Sequence, residues 1–198
     1  MLVLASASPR RQELLRAARI PFTVQPANVD ESLRDGEVPR DFAERLAREK
    51  ALTVWETRPH DLVLGADTIV VVGDTILGKP NDAADAVRML RILSGRTHLV
   101  ITGVAIVSTR YSAPRKTEDP QIAAASETTN VTMSEITDAE IRDYVATGEP
   151  MDKAGAYAIQ GIASRWIPRI DGDYSNVVGL PVAQVYRMLR ELRVDFTR

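Results

Sequence analysis

The sequence predicts an α/β fold: a single domain over residues 1–198, built on a mixed, twisted β-sheet flanked by helices. Three observations carry this. Segments with a two-residue apolar period alternate with segments of helical period. No internal repeat, low-complexity tract or composition break marks a linker, and 198 residues fit one compact domain with a substantial core. Adjacent strands joined by hairpin-like connections argue against a purely parallel, doubly wound sheet.

Residues 2–5 read as a strand, 9–19 as a helix and Phe22–Val24 as a second short strand. The helix at 40–56 places Phe42, Ala43, Leu46, Ala47 and Val54 on one face. "LVLGADTIVVV" (62–72) is a strand or hairpin arm, and "GDTILGKP" carries its turn and partner. The helix at 82–93 presents Ala86, Val87, Leu90 and Leu93 and stops at Ser94 and Gly95. "THLVITGVAIV" (97–107) is a long strand rich in β-branched residues. The polar "TRYSAPRKTEDPQ" (109–121) has the composition of an exposed hairpin loop, and residues 122–134 return as a strand. Thr137 and Glu140 form a capping box for a helix at 138–146, ended by Gly148. After the segment 149–178, Pro181 opens a last helix with Val182, Val185, Tyr186 and Leu189 inward.

Composition excludes several classes. The chain has no cysteine, so disulfides, thiolate catalysis and cysteine-rich zinc sites are ruled out. Its two histidines, His60 and His98, lie far apart and outside any ligand spacing, so any metal is expected on carboxylates and phosphates. A net charge of −2 without a long basic run argues against nucleic-acid binding. "MLVLASASPRR" lacks the order of a signal peptide, because its charges follow a very short apolar stretch. No apolar run approaches the ~20 residues that span a bilayer. A cytoplasmic protein with no membrane partner is expected.

The candidate functional residues are polar side chains placed against the local pattern. Ser8 suits an N-cap and Pro9 the first helical position. Arg10 and Arg11 then fall in the first turn, where a cation costs roughly 0.3–1 kcal/mol against the helix dipole. Either they point into solvent, or they and the free N–H groups receive a phosphate or carboxylate. Lys50 lies in the apolar stripe of its helix, either snorkelling outward or delivered to an anionic pocket. Asp67 interrupts an otherwise apolar strand, two residues after Gly65, whose missing side chain allows close approach of backbone or ligand. A charge there must be paired, hydrated or bound to metal, unless the strand breaks and Asp67 sits in a turn. Lys79 in "LGKP", Glu31 in "NVDES" and Gln160 in "GAYAIQG" are each weak alone; the amide of Gln160 both donates and accepts, as reading a nucleobase edge requires. Dispersed cations with one or two acids suit a polyphosphate substrate, a carboxylate-bound divalent ion and in-line attack by water. No GxxxxGK[ST] loop and no GxGxxG after a strand is present.

"LASASPRRQELL", "LGADTIVV", "LGKP", "LSGRTHLVITGVAI", "TGEPMDKAGAYAIQG" and "IDGDYSNVVGLP" resemble, in order and spacing, the motifs of the Maf nucleoside triphosphate pyrophosphatases. The resemblance runs from about residue 2 to the last helix. It implies a Maf/ITPase-like fold and a metal-dependent hydrolase that splits a nucleoside triphosphate into monophosphate and pyrophosphate. By the same resemblance Asp67 is the proton acceptor, Ser8, Arg11, Lys50 and Lys79 handle phosphate, and Glu31 is a further acid. Arg10, Thr68 and Gln160 take the positions that separate the family's branches, and this chain is similar to the branch favouring dTTP and UTP. Ala158 departs from the glycine of the usual "GAYGIQG", and "IAS" follows where "RGA" is common. The family further implies a housecleaning role linked to arrest of septum formation, and a homodimer.

On this reading Mg²⁺ or Mn²⁺ bridges Asp67 and the phosphates, assisted by Glu31, and compensates for the weak basicity of a carboxylate. Lys50, Lys79 and Arg11 stabilise the developing charge. The rival readings are a non-catalytic nucleotide-binding regulator of cell division and, disfavoured by charge, a nucleic-acid-binding module.

Overall fold

A computed structural model describes residues 1–109 and 120–194. The hairpin loop expected at 109–121 falls, but for its ends, outside the described residues. In chain order the elements are β1 (Leu2–Leu4), α1 (Pro9–Ala17), β2 (Thr23–Val24), α2 (Pro39–Trp55), β3 (Leu62–Val72), β4 (Thr75–Leu77), α3 (Ala83–Leu93), β5 (Thr97–Ser108) and β6 (Gln121–Thr132). They continue with α4 (Asp138–Ala146), β7 (Arg169–Asp171), α5 (Tyr174–Val178) and α6 (Val182–Glu191). Between α4 and β7 lie three 3₁₀ turns, Glu149–Asp152, Ala154–Ala156 and Ile162–Trp166.

The strands follow the order β2-β1-β3-β5-β6-β7, with β4 paired to β3. β1 is parallel to β2 and β3, whereas β3–β4 and β6–β7 are antiparallel, so the sheet is mixed as expected. The chain forms two compact units: Met1–Asp67 with Thr102–Glu127 and Gly179–Arg198, and Thr68–Ile101 with Thr128–Val178.

In the first unit the strands alternate between two cores. Leu2 and Leu4 of β1, Leu62, Leu64 and Ala66 of β3, and Val104 and Ile106 of β5 pack with Leu15 of α1 and with Val185, Met188 and Leu189 of α6. Val3, Val63, Ala105 and Val107 face the other way, onto Ala47, Ala51 and Val54 of α2. This is the two-residue period of a strand buried on both faces. Two glycines set how close α2 lies. A Cβ at Gly65 would stand 2.1 Å from the carbonyl oxygen of Ala47, and one at Gly103 would stand 2.3 Å from that of Ala43. The helix backbone thus rests directly on the strands.

Two expectations are corrected here. Tyr186 is 48% exposed; α6 packs through Val185, Met188 and Leu189, an i, i+3, i+4 set that leaves Tyr186 outside. The helix expected over 9–19 ends at Ala17, with Ala18 as its exposed C-cap, and is seated by Leu15 with Leu14 partly buried.

The second unit closes around the far end of β3 (Val70, Val72), Leu77, Met89, Leu90 and Leu93 of α3, Ile141 and Tyr144 of α4, and Tyr157 and Trp166. Thr137 and Glu140 form the expected capping box of α4. His98 is 2% exposed, with Nε2 2.7 Å from the Tyr157 hydroxyl and Nδ1 without a partner. Burial pushes its pKa down to about 4.

Two outcomes follow for stability. Gly103→Ala should lower unfolding free energy by about 1–3 kcal/mol in chemical denaturation, because its Cβ meets helix backbone. His98 is neutral when folded but protonates below pH 6.5 when unfolded, so its contribution is intact above about pH 6.5 and is lost as pH falls toward 4. Between pH 7 and 4 the protein should lose about 3 kcal/mol more than His98→Gln does, read from denaturation at each pH.

Candidate active site

The first turn of α1 is built as its sequence reads. Ser8 caps it, its side chain accepting the backbone N–H of Arg11, Pro9 opens it, and no acidic residue occupies the first turn. The Arg11 side chain is held by residues outside its helix. Its Nε donates to the Gly179 carbonyl at 2.8 Å and its Nη1 to the Ser6 hydroxyl at 3.1 Å. Ser6 also accepts the N–H of Ser8 at 3.2 Å, so one buried hydroxyl ties the cap to the guanidinium. Loss of hydration lowers the Arg11 pKa from the ordinary arginine value; the negative charge of Asp67 opposes this, Arg10 adds to it and Glu31 opposes it. Arg10 is half-buried. The solvent-facing reading of Arg11 is thereby excluded.

Asp67 stays in strand geometry within β3, which excludes the turn reading, and is 8% exposed. By strand alternation it shares the face of Val63 and Gly65, the face against α2. Lys50 follows one turn after Ala47, the residue on which Gly65 rests. At 8% exposure it is buried and does not snorkel. Its ammonium lies 2.6 Å from Asp67 Oδ1 and 2.6 Å from Glu31 Oε1. Lys50 is thus the shared partner of two carboxylates, one buried and one in an exposed loop.

Arg45, one turn earlier on α2, holds that loop. It donates to Glu37 at 2.6 and 2.8 Å, to Glu49 at 3.2 Å and to the Ser32 carbonyl at 2.9 Å, the residue next to Glu31. Asp30 tightens the same turn by accepting the Ser32 N–H at 3.0 Å. Sequence reasoning missed Ser6, Arg45 and the Gly179 carbonyl. Ser6 carried a signal, being polar directly after a buried apolar strand; Arg45 looked like any helix cation.

The first unit therefore brings together Ser8, Arg10, Arg11, Glu31, Lys50 and Asp67. Thr68, Lys79 and Gln160 belong to the second unit. Thr68 is half-buried on β3, while Lys79 and Gln160 are exposed in the segments after β4 and α4. The Lys79 segment is tied to the Gln160 segment through the Gly155 N–H, which donates to the Gly78 carbonyl at 3.0 Å.

Among the described residues no group of three or more His, Cys, Asp or Glu side chains is placed to hold a metal. Asp67 and Glu31 supply two carboxylates. Mg²⁺ in nucleotide enzymes commonly takes one or two, with phosphates and water completing the shell, so the pair fits an ion that arrives with substrate. No helix among the described residues is long and apolar enough to cross a membrane.

The chain thus carries two arginines and a buried lysine–carboxylate pair on a mixed α/β sheet. It belongs to the Maf family, whose model, described as a Maf-like protein, matches residues 1–192. A protein of Koribacter versatilis (strain Ellin345) named dTTP/UTP pyrophosphatase is 55% identical over 193 residues, covering 98% of this chain and 95% of that relative. Proteins of the same name from Moorella thermoacetica and Syntrophomonas wolfei are 51% and 50% identical, covering 98% of this chain and 96% and 99% of their own lengths.

The geometry predicts unequal costs for breaking the two ion pairs. Lys50→Met leaves a buried carboxylate without its partner and should cost about 3–5 kcal/mol in denaturant unfolding. Glu31→Gln, on the exposed side of the same ammonium, should cost less than about 1 kcal/mol.

Proposed function

We propose that this chain is a nucleoside triphosphate pyrophosphatase that hydrolyses dTTP and UTP to the monophosphate and pyrophosphate. The carrying observation is the Lys50 ammonium, 2.6 Å from both Asp67 and Glu31, in the same unit as the Arg11 guanidinium. The relatives' printed names support the substrate class. Asp67 accepts the proton of a water that attacks the α-phosphorus. The bond from that phosphorus to the α–β bridging oxygen breaks, and pyrophosphate leaves. Lys50 secures Asp67 through Oδ1 while Oδ2 receives the proton. Arg11, oriented by Ser6 and Gly179, meets the phosphate charge that grows as the bond breaks. Ser8 adds a hydroxyl at the same helix start.

Asp67 and Glu31 are the residues proposed to hold Mg²⁺ or Mn²⁺. When bound, the ion supplies charge neutralisation on the phosphates and a more acidic water. Lys79 is proposed as a phosphate contact and Arg10, Thr68 and Gln160 as base-selecting residues; these roles rest on the family resemblance. The same resemblance supports removal of non-standard nucleotides, arrest of septum formation, a cytoplasmic site of action and a homodimer. A non-catalytic nucleotide-binding regulator is disfavoured by a buried aspartate with one oxygen secured, which binding alone does not require.

Asp67→Asn tests the reading. Pyrophosphate release from UTP should fall by about 10²–10⁴-fold in protein whose far-ultraviolet circular dichroism shows it still folded at the assay temperature, with a lowered melting temperature expected from loss of the buried pair. Near-normal turnover in that variant removes Asp67 from the reaction.

A further inference from the structure

The turn carrying Gln160 is fastened on both sides by groups that the proposed reaction does not use. On its C-terminal side the Glu149 carboxylate accepts the Ile162 N–H at 3.1 Å through Oε1 and at 3.3 Å through Oε2. It also accepts the Tyr144 hydroxyl at 2.9 Å, and Tyr144 is buried in the core of α4. The carboxylate lies flush against Gly161: a Cβ there would stand 2.1 Å from Oε1 and 2.5 Å from the carboxyl carbon. Gly161 closes the turn by donating to the Ala158 carbonyl at 3.2 Å. On the N-terminal side Tyr157 meets His98 at 2.7 Å, and Gly155 and Ala156 both take positive φ, 69° and 59°. A buried alanine in that region costs about 1–2 kcal/mol, so the surroundings impose this path.

A carboxamide carries one donor and one acceptor side by side. Swung freely, it matches the O4/N3–H edge of uracil and, flipped, the N4–H₂/N3 edge of cytosine equally well. The two orientations differ by a half-turn about the last side-chain bond, and a neighbouring group can hold one of them only where the backbone carrying the amide keeps its place. We propose that Glu149 is a positioning residue that sets pyrimidine selectivity by holding the Gln160 turn through Ile162 and Tyr144. This rests on the reading that Gln160 contacts the base.

The test measures kcat and KM for UTP and CTP in the full-length chain and in Glu149→Ala, Glu149→Gln and Gln160→Ala. Glu149→Ala should reduce the UTP-to-CTP ratio of kcat/KM about tenfold through a rise in KM for UTP, with kcat for UTP held within about twofold. Glu149→Gln, which keeps an acceptor for the Ile162 N–H, should retain most of the ratio, and Gln160→Ala should lose it. If Gln160→Ala loses the ratio and Glu149→Ala keeps it, the proposal is overturned while the base-reading role stands. If Gln160→Ala keeps the ratio, that role fails and the proposal fails with it. Should Glu149→Ala not fold, Gly161→Ala replaces it: its φ of −116° admits alanine, and the new Cβ displaces only the carboxylate end of Glu149. An unchanged ratio in Gly161→Ala then overturns the proposal.

Discussion

The site depends on one buried ammonium. Lys50 sits at the contact between a helix and a strand, 2.6 Å from an aspartate that the strand buries. Dehydrating either ion alone costs several kcal/mol, and only a partner at hydrogen-bond distance offsets it. That distance is set by backbone. Gly65 and Gly103 let α2 rest on β3 and β5 without intervening side chains, and Ala43, Ala47 and Ala51 line the contact on the helix side. A larger residue at any of these places lifts α2 and draws Lys50 away from Asp67. The small residues are thus as much a part of the site as the charges.

The second constraint is the placement of the remaining charges relative to that pair. Glu31 comes from an irregular loop that would have little reason to keep a fixed position. The grip of Arg45 on Glu37, Glu49 and the Ser32 carbonyl gives it one, and Glu37 and Glu49 together raise the Arg45 pKa above the ordinary arginine value despite burial. Arg11 is held from the other side by Ser6 and Gly179. Both arginines are fixed by contacts already made in the free protein; on the proposed reading, Arg11 therefore needs little further ordering when substrate binds. Preorganised charge of this kind is what phosphoryl chemistry asks of a protein, since positioning and electrostatics supply most of the rate.

Much of this was legible in the sequence, for physical reasons. Asp67 in an apolar strand and Lys50 in an apolar helix stripe each broke a period, and a broken period at a buried position signals a charge with a partner. That the two partner each other was not legible, because the pairing depends on which strand α2 crosses. The start of α1 was readable from Ser8 and Pro9, and the capping box from Thr137 and Glu140. The stretch 149–178 was not, since 3₁₀ turns and a three-residue strand leave no apolar period to count. Tyr186 misled because an aromatic beside Val185 fits a stripe as well as its edge. Ser6 and Arg45 act through side-chain contacts to Arg11 and to the Ser32 loop that form only on folding, which composition does not encode. The family resemblance named Glu31, but only the fold shows that it shares Lys50 with Asp67.

In the proposed reaction water attacks the α-phosphorus of a pyrimidine nucleoside triphosphate at the Lys50–Asp67 pair. Hydrolysis of UTP in ¹⁸O-labelled water, followed by mass analysis of both products, shows which phosphorus receives the water. One labelled oxygen is expected in the monophosphate and none in the pyrophosphate. Label in the pyrophosphate, or release of the diphosphate and orthophosphate in place of these products, would contradict it.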